Sequence, residues 1–314
     1  MIQAVARAAF SVLADSQSLK RAASRYGLRR RDSFARRFIA GESVADAIEA
    51  ARALEAQGLT VTLDLLGESV AARDAALRAV EQYIASMAQI ARAGVGRNIS
   101  LKLTQLGLTI DRATTVDNLR RVLDAAAADD FFVRIDMENS PYTDATLDTF
   151  ETVWGIGYKN VGVVIQSALR RSEQDIRRVN RLGGRVRLVK GAYREPGEVA
   201  YRRKADVDAA FIDLMTLLFK EGTYPAIATH DPAMIDAARR IARETGVTPD
   251  RFEFQMLYGV RRDLQTALHR DGYRMRIYVP FGSEWFPYFM RRLGERPANV
   301  GFVIKSVLQE KRSL

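Results

Sequence analysis

Short runs of apolar and β-branched residues recur along most of the chain, and stretches with a helical pattern separate them. The runs lie at residues 60–65, 98–104, 131–136, 161–166, 185–190, 224–229, 251–256 and 273–279. Segments such as TTVDNLRRVLDAAAADD and DPAMIDAARRIARETG, which place apolar residues at helical spacing, fill the intervals. Eight strands alternating strictly with eight helices predict a parallel sheet with right-handed crossovers.

Eight βα units in this length favour one closed (β/α)8 barrel of the TIM type. An open, doubly wound sheet is the alternative. It is disfavoured because no strand is followed by the G-x-G-x-x-G fingerprint of that fold: AGVGRN and WGIGYK each lack the third glycine. We therefore predict an N-terminal helical arm over residues 1–58 and a barrel domain over residues 59–314.

Composition narrows the chemistry. The chain has 314 residues, of which 47% are apolar, so a sizeable core is expected. No apolar run approaches the ~18 residues that would span a membrane, and Arg7 interrupts the start too early for a secretory signal; we expect a cytoplasmic protein. Cysteine is absent and there are two histidines, His230 and His269, so neither a disulfide nor a His/Cys zinc site is expected. Carboxylates, Lys, Tyr, Arg or a bound cofactor must then supply any chemistry.

The net charge of +10 is concentrated at the start of the chain. Residues 1–40 contain nine Lys and Arg against two Asp, which leaves +7 in this arm and +3 in the rest. Such an arm suits nucleic acid or an anionic membrane surface, and a solvated helical appendage is the simpler alternative.

Polar residues stand at the predicted carboxyl ends of the strands, where the active sites of such barrels lie. They are Glu68, Lys102, Asp136, Gln166, Arg187, Lys190, Tyr193, Thr229, His230 and Tyr278. Burying this many polar groups costs free energy unless they are paired, so a purely structural barrel would not require them. Lys102 lies inside a predicted strand, and it either extends to the rim, pairs with Asp136 or faces a bound anion.

The segment after the last strand, YVPFGSEWFPYFMRRLGERPANV, predicts a helix with two different sides. Phe286, Phe289, Met290 and Leu293 form an apolar stripe, and the opposite side carries Trp285, Tyr288, Arg291, Arg292 and Glu295. Either this is an amphipathic surface helix, or the Trp, Tyr and Arg side is a wall that closes over a small anionic ligand.

Five motifs, LKLTQLG, RLVKGAY, AIATHD, FEFQMLYGV and YVPFGSEW…MRRLGERPANV, occur in this order, each at its own predicted strand end. With them the chain resembles the proline dehydrogenase family in its short monofunctional bacterial form, from about residue 60 to the end. The resemblance implies a (β/α)8 barrel that binds FAD, with the last helix over the barrel mouth.

The resemblance also implies a role for individual residues. Asp136 and Arg187 belong to the catalytic group, with Arg187 at the flavin N5 edge. The residues expected to bind proline are Lys102, Leu257, Tyr278, Arg291 and Arg292. The residues expected to bind FAD are Met137, Gln166, Arg187, Lys190, Gly191, Ala192, Thr229 and His230. Glu68 is expected to pair with Arg291 as a gate.

The implied reaction is oxidation of L-proline to 1-pyrroline-5-carboxylate by hydride transfer from C5 to flavin N5. The amine must be unprotonated, and nearby cations lower the pKa of an amine. The family passes its electrons to membrane quinone, so the basic arm is expected to help the enzyme visit an anionic bilayer. Hydroxyproline dehydrogenase is the alternative within the family, and Tyr278 argues for proline because relatives with that preference lack this tyrosine. A nucleic-acid-binding barrel is the alternative outside it; the arm lacks a binding motif, so no nucleic-acid partner is expected.

Overall fold

Eight parallel strands close into one barrel in the computed structural model, which describes residues 33–67 and 69–295. The strands are β1 Thr60–Leu65, β2 Asn98–Leu101, β3 Phe132–Ile135, β4 Val161–Gln166, β5 Arg185–Val189, β6 Ala226–Ala228, β7 Glu253–Leu257 and β8 Met275–Phe281. Each strand pairs with the next along the chain, and β1 closes the barrel against β8 from Thr60↔Arg276 to Leu65↔Phe281. The predicted (β/α)8 fold is confirmed.

Nine α-helices lie within the described residues. They are α1 Val44–Glu55, α2 Arg73–Ala93, α3 Arg112–Ala128, α4 Thr143–Ile156, α5 Ser172–Arg181, α6 Lys204–Glu221, α7 Pro232–Thr245, α8 Arg262–Arg270 and α9 Trp285–Glu295. Helix α1 precedes β1, and one helix follows each strand, as the alternation predicts. Ser43 begins α1 with a capping box to Asp46, and Asp231 caps α7 ahead of Pro232.

Two of the strand boundaries that differ from the sequence prediction have a local cause. Strand β2 ends at Leu101, and Lys102 is the first residue after it, because a 3-10 turn begins at Leu103. Lys102 is therefore not inside the strand. It lies at the mouth of the barrel because β2 ends immediately before it. Strand β6 begins at Ala226 rather than at 224, because Tyr224 has φ 53° and Pro225 has no N–H to pair.

Apolar side chains form two separate clusters. The larger fills the space between the strands and their surrounding helices and includes α1. The smaller, which we call the mouth cluster, lies at the carboxyl end of the barrel. It consists of Ala35, Phe38, Ile39, Leu66, Val260, Trp285, Phe286, Tyr288, Phe289, Met290 and Leu293. Helix α9 thus packs across the end of the barrel against residues 35–39, Leu66 and Val260.

The interior of the barrel is polar at two levels. The upper cluster, at the carboxyl ends of the strands, consists of Asp64, Lys102, Asp136, Arg187 and Tyr278. The lower cluster, one pleat nearer the amino ends, consists of Arg134, Glu253, Gln255 and Arg276. All nine residues are buried or partly buried. Contacts between strands that are not neighbours, such as Arg187 on β5 with Ser100 on β2, place these side chains inside the barrel.

Candidate active site

Asp136 is the centre of the upper cluster. It follows β3 directly, and its amide donates to the Leu101 carbonyl oxygen at 2.8 Å, which continues the strand pairing by one residue. Its Oδ1 accepts from Arg187 Nη1 at 2.8 Å, and its Oδ2 accepts from the Tyr278 hydroxyl at 2.7 Å. One carboxylate therefore orients a guanidinium from β5 and a phenol from β8 across the barrel.

Arg187 and Tyr278 also contact each other. The guanidinium carbon lies 5.3 Å from the centre of the Tyr278 ring, and Arg187 Nη2 donates to the Ser100 hydroxyl at 3.1 Å. Burial raises the pKa of Tyr278 well above its ordinary value, and the charge of Asp136 adds to the shift. Tyr278 is therefore a protonated hydrogen-bond donor at neutral pH.

Lys102 faces two carboxylates. Its Nζ lies 3.7 Å from Asp64 Oδ1 and 4.0 Å from Asp136 Oδ2, and the lysine side chain is buried. The charges of Lys102 and Arg187 balance those of Asp64 and Asp136 when both aspartates are ionised, so the upper cluster then has no net charge.

Asp64 is a candidate residue that the sequence prediction missed. It is 0% exposed, and neither carboxylate oxygen has a hydrogen-bond partner among the described residues. Burial raises the pKa of Asp64 above its ordinary value; Lys102 opposes this shift and Asp136 reinforces it. The available signal was the alternation in TVTLDL, where Thr60, Thr62 and Asp64 occupy one face of β1.

A cavity of about 740 Å³ opens beside the upper cluster, between α2 and the segment from β8 into α9. Lys102, Gln105, Tyr288 and Arg291 all line it. Lys102 and Arg291 are far apart in the sequence yet line one space, which is the arrangement expected of a carboxylate site.

Helix α9 differs from its predicted amphipathic pattern. Trp285 is 1% exposed, packs against Phe286 and Phe289, and donates its indole N–H to Glu42 at 2.9 Å. Tyr288 is buried as well. The surface-helix alternative is therefore wrong, because the supposed water face is covered. Of the aromatic pair, Tyr288 lines the cavity and Trp285 turns away from it.

Arg291 and Arg292 do not share one environment. Arg291 lines the cavity, whereas Arg292 is outside its lining and stacks with its guanidinium carbon 5.3 Å from the Tyr288 ring centre. Glu68, the predicted gate partner of Arg291, lies outside the described residues.

The predicted flavin contacts gather on the other side of the mouth, on the ends of β3, β4 and β5. Gln166 Nε2 donates to the Glu138 carbonyl oxygen at 2.8 Å, and the neighbouring Met137 is buried. Gly191 has φ 114°, and a Cβ there would lie 3.1 Å from Gln166 Oε1, so the position requires glycine. Ala192 is exposed on the same loop.

Lys190 has two carboxylate partners already. Its Nζ donates to Asp208 at 2.5 Å and to Asp231 at 2.7 Å, and Lys204 contacts the same two aspartates. Burial raises the pKa of Asp208 and of Asp231, but the bonds and charges of Lys190 and Lys204 outweigh it, and both pKa values lie below the ordinary one. The network joins the β5 loop to the first turns of α6 and α7.

Thr229 and His230 lie at the end of β6. The Thr229 hydroxyl accepts from the Asp231 amide at 3.1 Å. His230 Nε2 accepts from the Leu257 amide at 2.9 Å, so this nitrogen carries no proton in the observed arrangement. His230, which is predicted to bind the cofactor, therefore holds the backbone of Leu257, which is predicted to contact the substrate.

Most of the basic arm lies outside the described residues. Of its described cations, Arg36 pairs with Asp46 at 3.2 Å. Among the helices that the structure describes, none combines the length and the hydropathy needed to cross a bilayer.

A closed parallel barrel with a buried ionic cluster and a cavity at the carboxyl ends of its strands defines an enzyme of the (β/α)8 class. The profile of the family described as proline dehydrogenase matches residues 47–305, and the chain belongs to that family. It is 40% identical to proline dehydrogenase 2 of Bacillus subtilis strain 168, over 98% of this chain and 100% of the relative.

Two further relatives extend the comparison. The chain is 41% identical to the proline dehydrogenase of Deinococcus radiodurans, over 88% of this chain and 91% of that protein. Among solved structures, proline utilization A of Bdellovibrio bacteriovorus inactivated by N-propargylglycine matches with a TM-score of 0.78 and 28% identity. That match covers 82% of this chain and 32% of the larger protein. The chain is therefore an oxidoreductase of proline catabolism.

Proposed function

We propose that the chain catalyses FAD-dependent oxidation of L-proline to 1-pyrroline-5-carboxylate and passes the electrons on to a quinone. The observation that carries the proposal is Asp136, which holds Arg187 and Tyr278 together beside a cavity lined by Lys102 and Arg291. Lys102 and Arg291 supply positive charge in the cavity, and the ring of Tyr278 lies close by, bonded to Asp136. This combination suits a small amino acid with an apolar ring.

The mouth fits a flavin on two observations. Arg187 Nε is buried and has no hydrogen-bond partner among the described residues, so it is a donor that a ring nitrogen can satisfy. Gly191 and Ala192 are exposed, so the backbone of their loop is accessible to a ligand. The residues that would hold FAD are Met137, Gln166, Arg187, Lys190, Gly191, Ala192, Thr229 and His230. When bound, FAD supplies N5 as the acceptor for the hydride that leaves C5 of proline.

Lys190 would contribute in a particular way. Because Asp208 and Asp231 both bond its Nζ, its ammonium does not approach a phosphate alone but carries two carboxylates with it. We therefore infer that Lys190 shapes the loop of Gly191 and Ala192 and contacts the cofactor chiefly through backbone.

Lys102 and Arg291 would bind the carboxylate of proline, with Arg292 supporting Tyr288 on the same wall. Two cations facing the cavity disfavour an ammonium beside them and so lower the pKa of the bound amine. Asp64 and Asp136 oppose this effect, but Arg187 already compensates the charge of Asp136. Leu257 and Tyr278 would pack against the pyrrolidine ring, and α9 would exclude water.

The experiment that tests the function is an anaerobic absorption spectrum of the purified protein before and after L-proline. Bleaching of the flavin band by L-proline, with no bleaching by D-proline or 4-hydroxyproline, is the expected result. A yellow protein that ignores proline would overturn the substrate assignment. A colourless protein that FAD does not reconstitute would overturn the cofactor assignment.

The basic arm is proposed to bring the enzyme to anionic membranes, where quinone resides. Sedimentation with vesicles of anionic phospholipid is expected to fall as salt rises and to weaken when residues 1–32, which leave the mouth cluster intact, are deleted. Equal binding to zwitterionic vesicles, or binding unchanged by the deletion, would contradict this proposal.

A further inference from the structure

One threonine hydroxyl joins three loops at the mouth of the barrel. Thr104 lies in the 3-10 turn after β2, and its Oγ1 donates to Glu138 Oε2 at 2.6 Å, in the loop after β3. The same Oγ1 accepts from the Ser69 amide at 3.0 Å, in the loop after β1. A hydroxyl has one proton to give, so this pattern uses it on Glu138 and presents a lone pair to Ser69.

The backbone of Thr104 repeats both connections. Its amide donates to Glu138 Oε1 at 3.1 Å, and its carbonyl accepts from the Val70 amide at 3.2 Å. Glu138 is 4% exposed and Thr104 is fully buried, so these bonds are made away from water, where losing one is costly. Gln166 extends the connection to β4 through the Glu138 carbonyl.

The loop after β1 has a backbone that needs such support. Ser69 has φ 56°, a left-handed conformation that costs free energy for a residue with a side chain. Gly67 and Val70, on either side, line the cavity together with Lys102 and Arg291. A Cβ at Gly67 would lie 2.4 Å from Gln105 Nε2, so this wall is also closely packed.

We propose that Thr104 and Glu138 are positioning residues that hold the Gly67 and Val70 wall of the cavity to the loop carrying Asp136 and Met137. The shape of the substrate cavity then depends on the loop that borders the flavin position. The effect on proline binding rests on the proposed function, whereas the bonds that join the loops do not depend on it.

Binding and chemistry are expected to respond differently. The described bonds of Thr104 go to Glu138, Ser69 and Val70, whereas Arg187 and Tyr278 are held by Asp136, so we expect the groups around Asp136 to keep their geometry when the link is cut. A released wall must be ordered again each time substrate binds, which weakens binding. KM should therefore rise while kcat changes little.

The test compares Thr104→Val, which keeps the shape and removes the hydroxyl, with Thr104→Ser, which keeps the hydroxyl. In Thr104→Val we expect amide hydrogen exchange at Ser69 to become roughly ten-fold faster and KM for L-proline to rise about five- to ten-fold. We expect kcat within about two-fold of the unaltered protein and near-complete rescue by Thr104→Ser. Thr149→Val is the control, because Thr149 is fully buried on α4 and its hydroxyl has no partner among the described residues.

Two results would overturn the inference: unchanged exchange at Ser69 in Thr104→Val, or a fall in kcat with KM unchanged. If Thr104→Val does not fold, Glu138→Gln replaces it, since an amide cannot accept on both of its terminal atoms and the same exchange at Ser69 is measured. If the unaltered protein does not oxidise proline, the proposed function fails, and the exchange comparison still decides whether the loops are linked.

Discussion

The two polar clusters inside the barrel both pair carboxylates with cations, yet their hydrogen bonds are completed to different degrees. In the lower cluster, Glu253 accepts from Arg276 at 2.8 Å and from Gln255 at 2.5 Å, and Arg276 also donates to the Val61 carbonyl at 2.6 Å. The upper cluster contains three buried polar atoms without a hydrogen-bond partner in the described part of the chain. The lower cluster contains one, Oε1 of Gln255.

The pKa values of the buried carboxylates also distinguish the complete cluster from the incomplete one. Burial raises the pKa of Glu253, but Arg276 and Gln255 outweigh it, and the pKa lies below its ordinary value. Burial raises the pKa of Asp64, and Lys102 does not compensate. A carboxylate whose partners are complete serves the fold, whereas one left incomplete at the mouth is available for chemistry. Four variants test this distinction.

Asp136→Asn is expected to have the largest effect. An amide cannot accept from both Arg187 and Tyr278, so the two groups lose their common anchor. We expect kcat for L-proline to fall by about 10²- to 10³-fold, similar to the loss of one preorganised electrostatic contact in other enzymes. Steady-state kinetics measure it, with the far-UV spectrum as a folding control. A variant within three-fold or so of the unaltered kcat would contradict the role of Asp136.

Glu253→Gln tests the lower cluster. It keeps the shape but leaves Arg276 and Arg134 without their carboxylate, and breaking a buried pair in this way costs about 3–5 kcal/mol. Urea unfolding should show this loss in the free energy of unfolding, while KM for L-proline of the folded protein stays close to the original. A loss below about 1 kcal/mol would mean that the lower cluster is not the structural one.

Tyr278→Phe separates the hydroxyl from the ring. The ring still packs below Arg187, and the bond to Asp136 Oδ2 is lost. We expect kcat/KM for L-proline to fall roughly ten-fold, the value of one buried hydrogen bond to a charged group. Tyr224→Phe, which removes a hydroxyl bonded to Glu253 of the lower cluster, is the comparison variant. Equal losses in both variants would indicate a general packing effect.

Asp64→Asn should change the free energy of unfolding least. The direction of its effect follows from the pH dependence of stability. The folded pKa of Glu253 is lowered, so its contribution to stability is lost as pH falls through that value. The folded pKa of Asp64 is raised, so its contribution is lost as pH rises through that value. Asp64→Asn should therefore equal the unaltered protein in acid and match or exceed it by up to about 1 kcal/mol near pH 7. Unfolding curves between about pH 4 and pH 7 decide this, and a deficit that grows with pH would contradict it.

The sequence was informative wherever function follows the strand order. The ends of β3, β5 and β8 put Asp136, Arg187 and Tyr278 on one rim, and the motifs around them were sufficient to expect their meeting. Asp64 and the Thr104 link were missed, because their importance lies in contacts across the barrel and between loops, which no local pattern records. Trp285 was misplaced for a related reason: a helical wheel shows two faces, and α9 is covered on both.

The placement of α9 has a consequence for how the protein is made. The mouth cluster joins residues 35–39 to 285–293, the two ends of the described chain, so it depends on contacts of very large sequence separation. During synthesis the barrel strands are available before this cluster is, and an open barrel precedes a covered one. The FAD of the proposed function would thus be most easily acquired by a nascent or newly released chain. Supplying it during expression should give fuller occupancy than adding it to the finished protein.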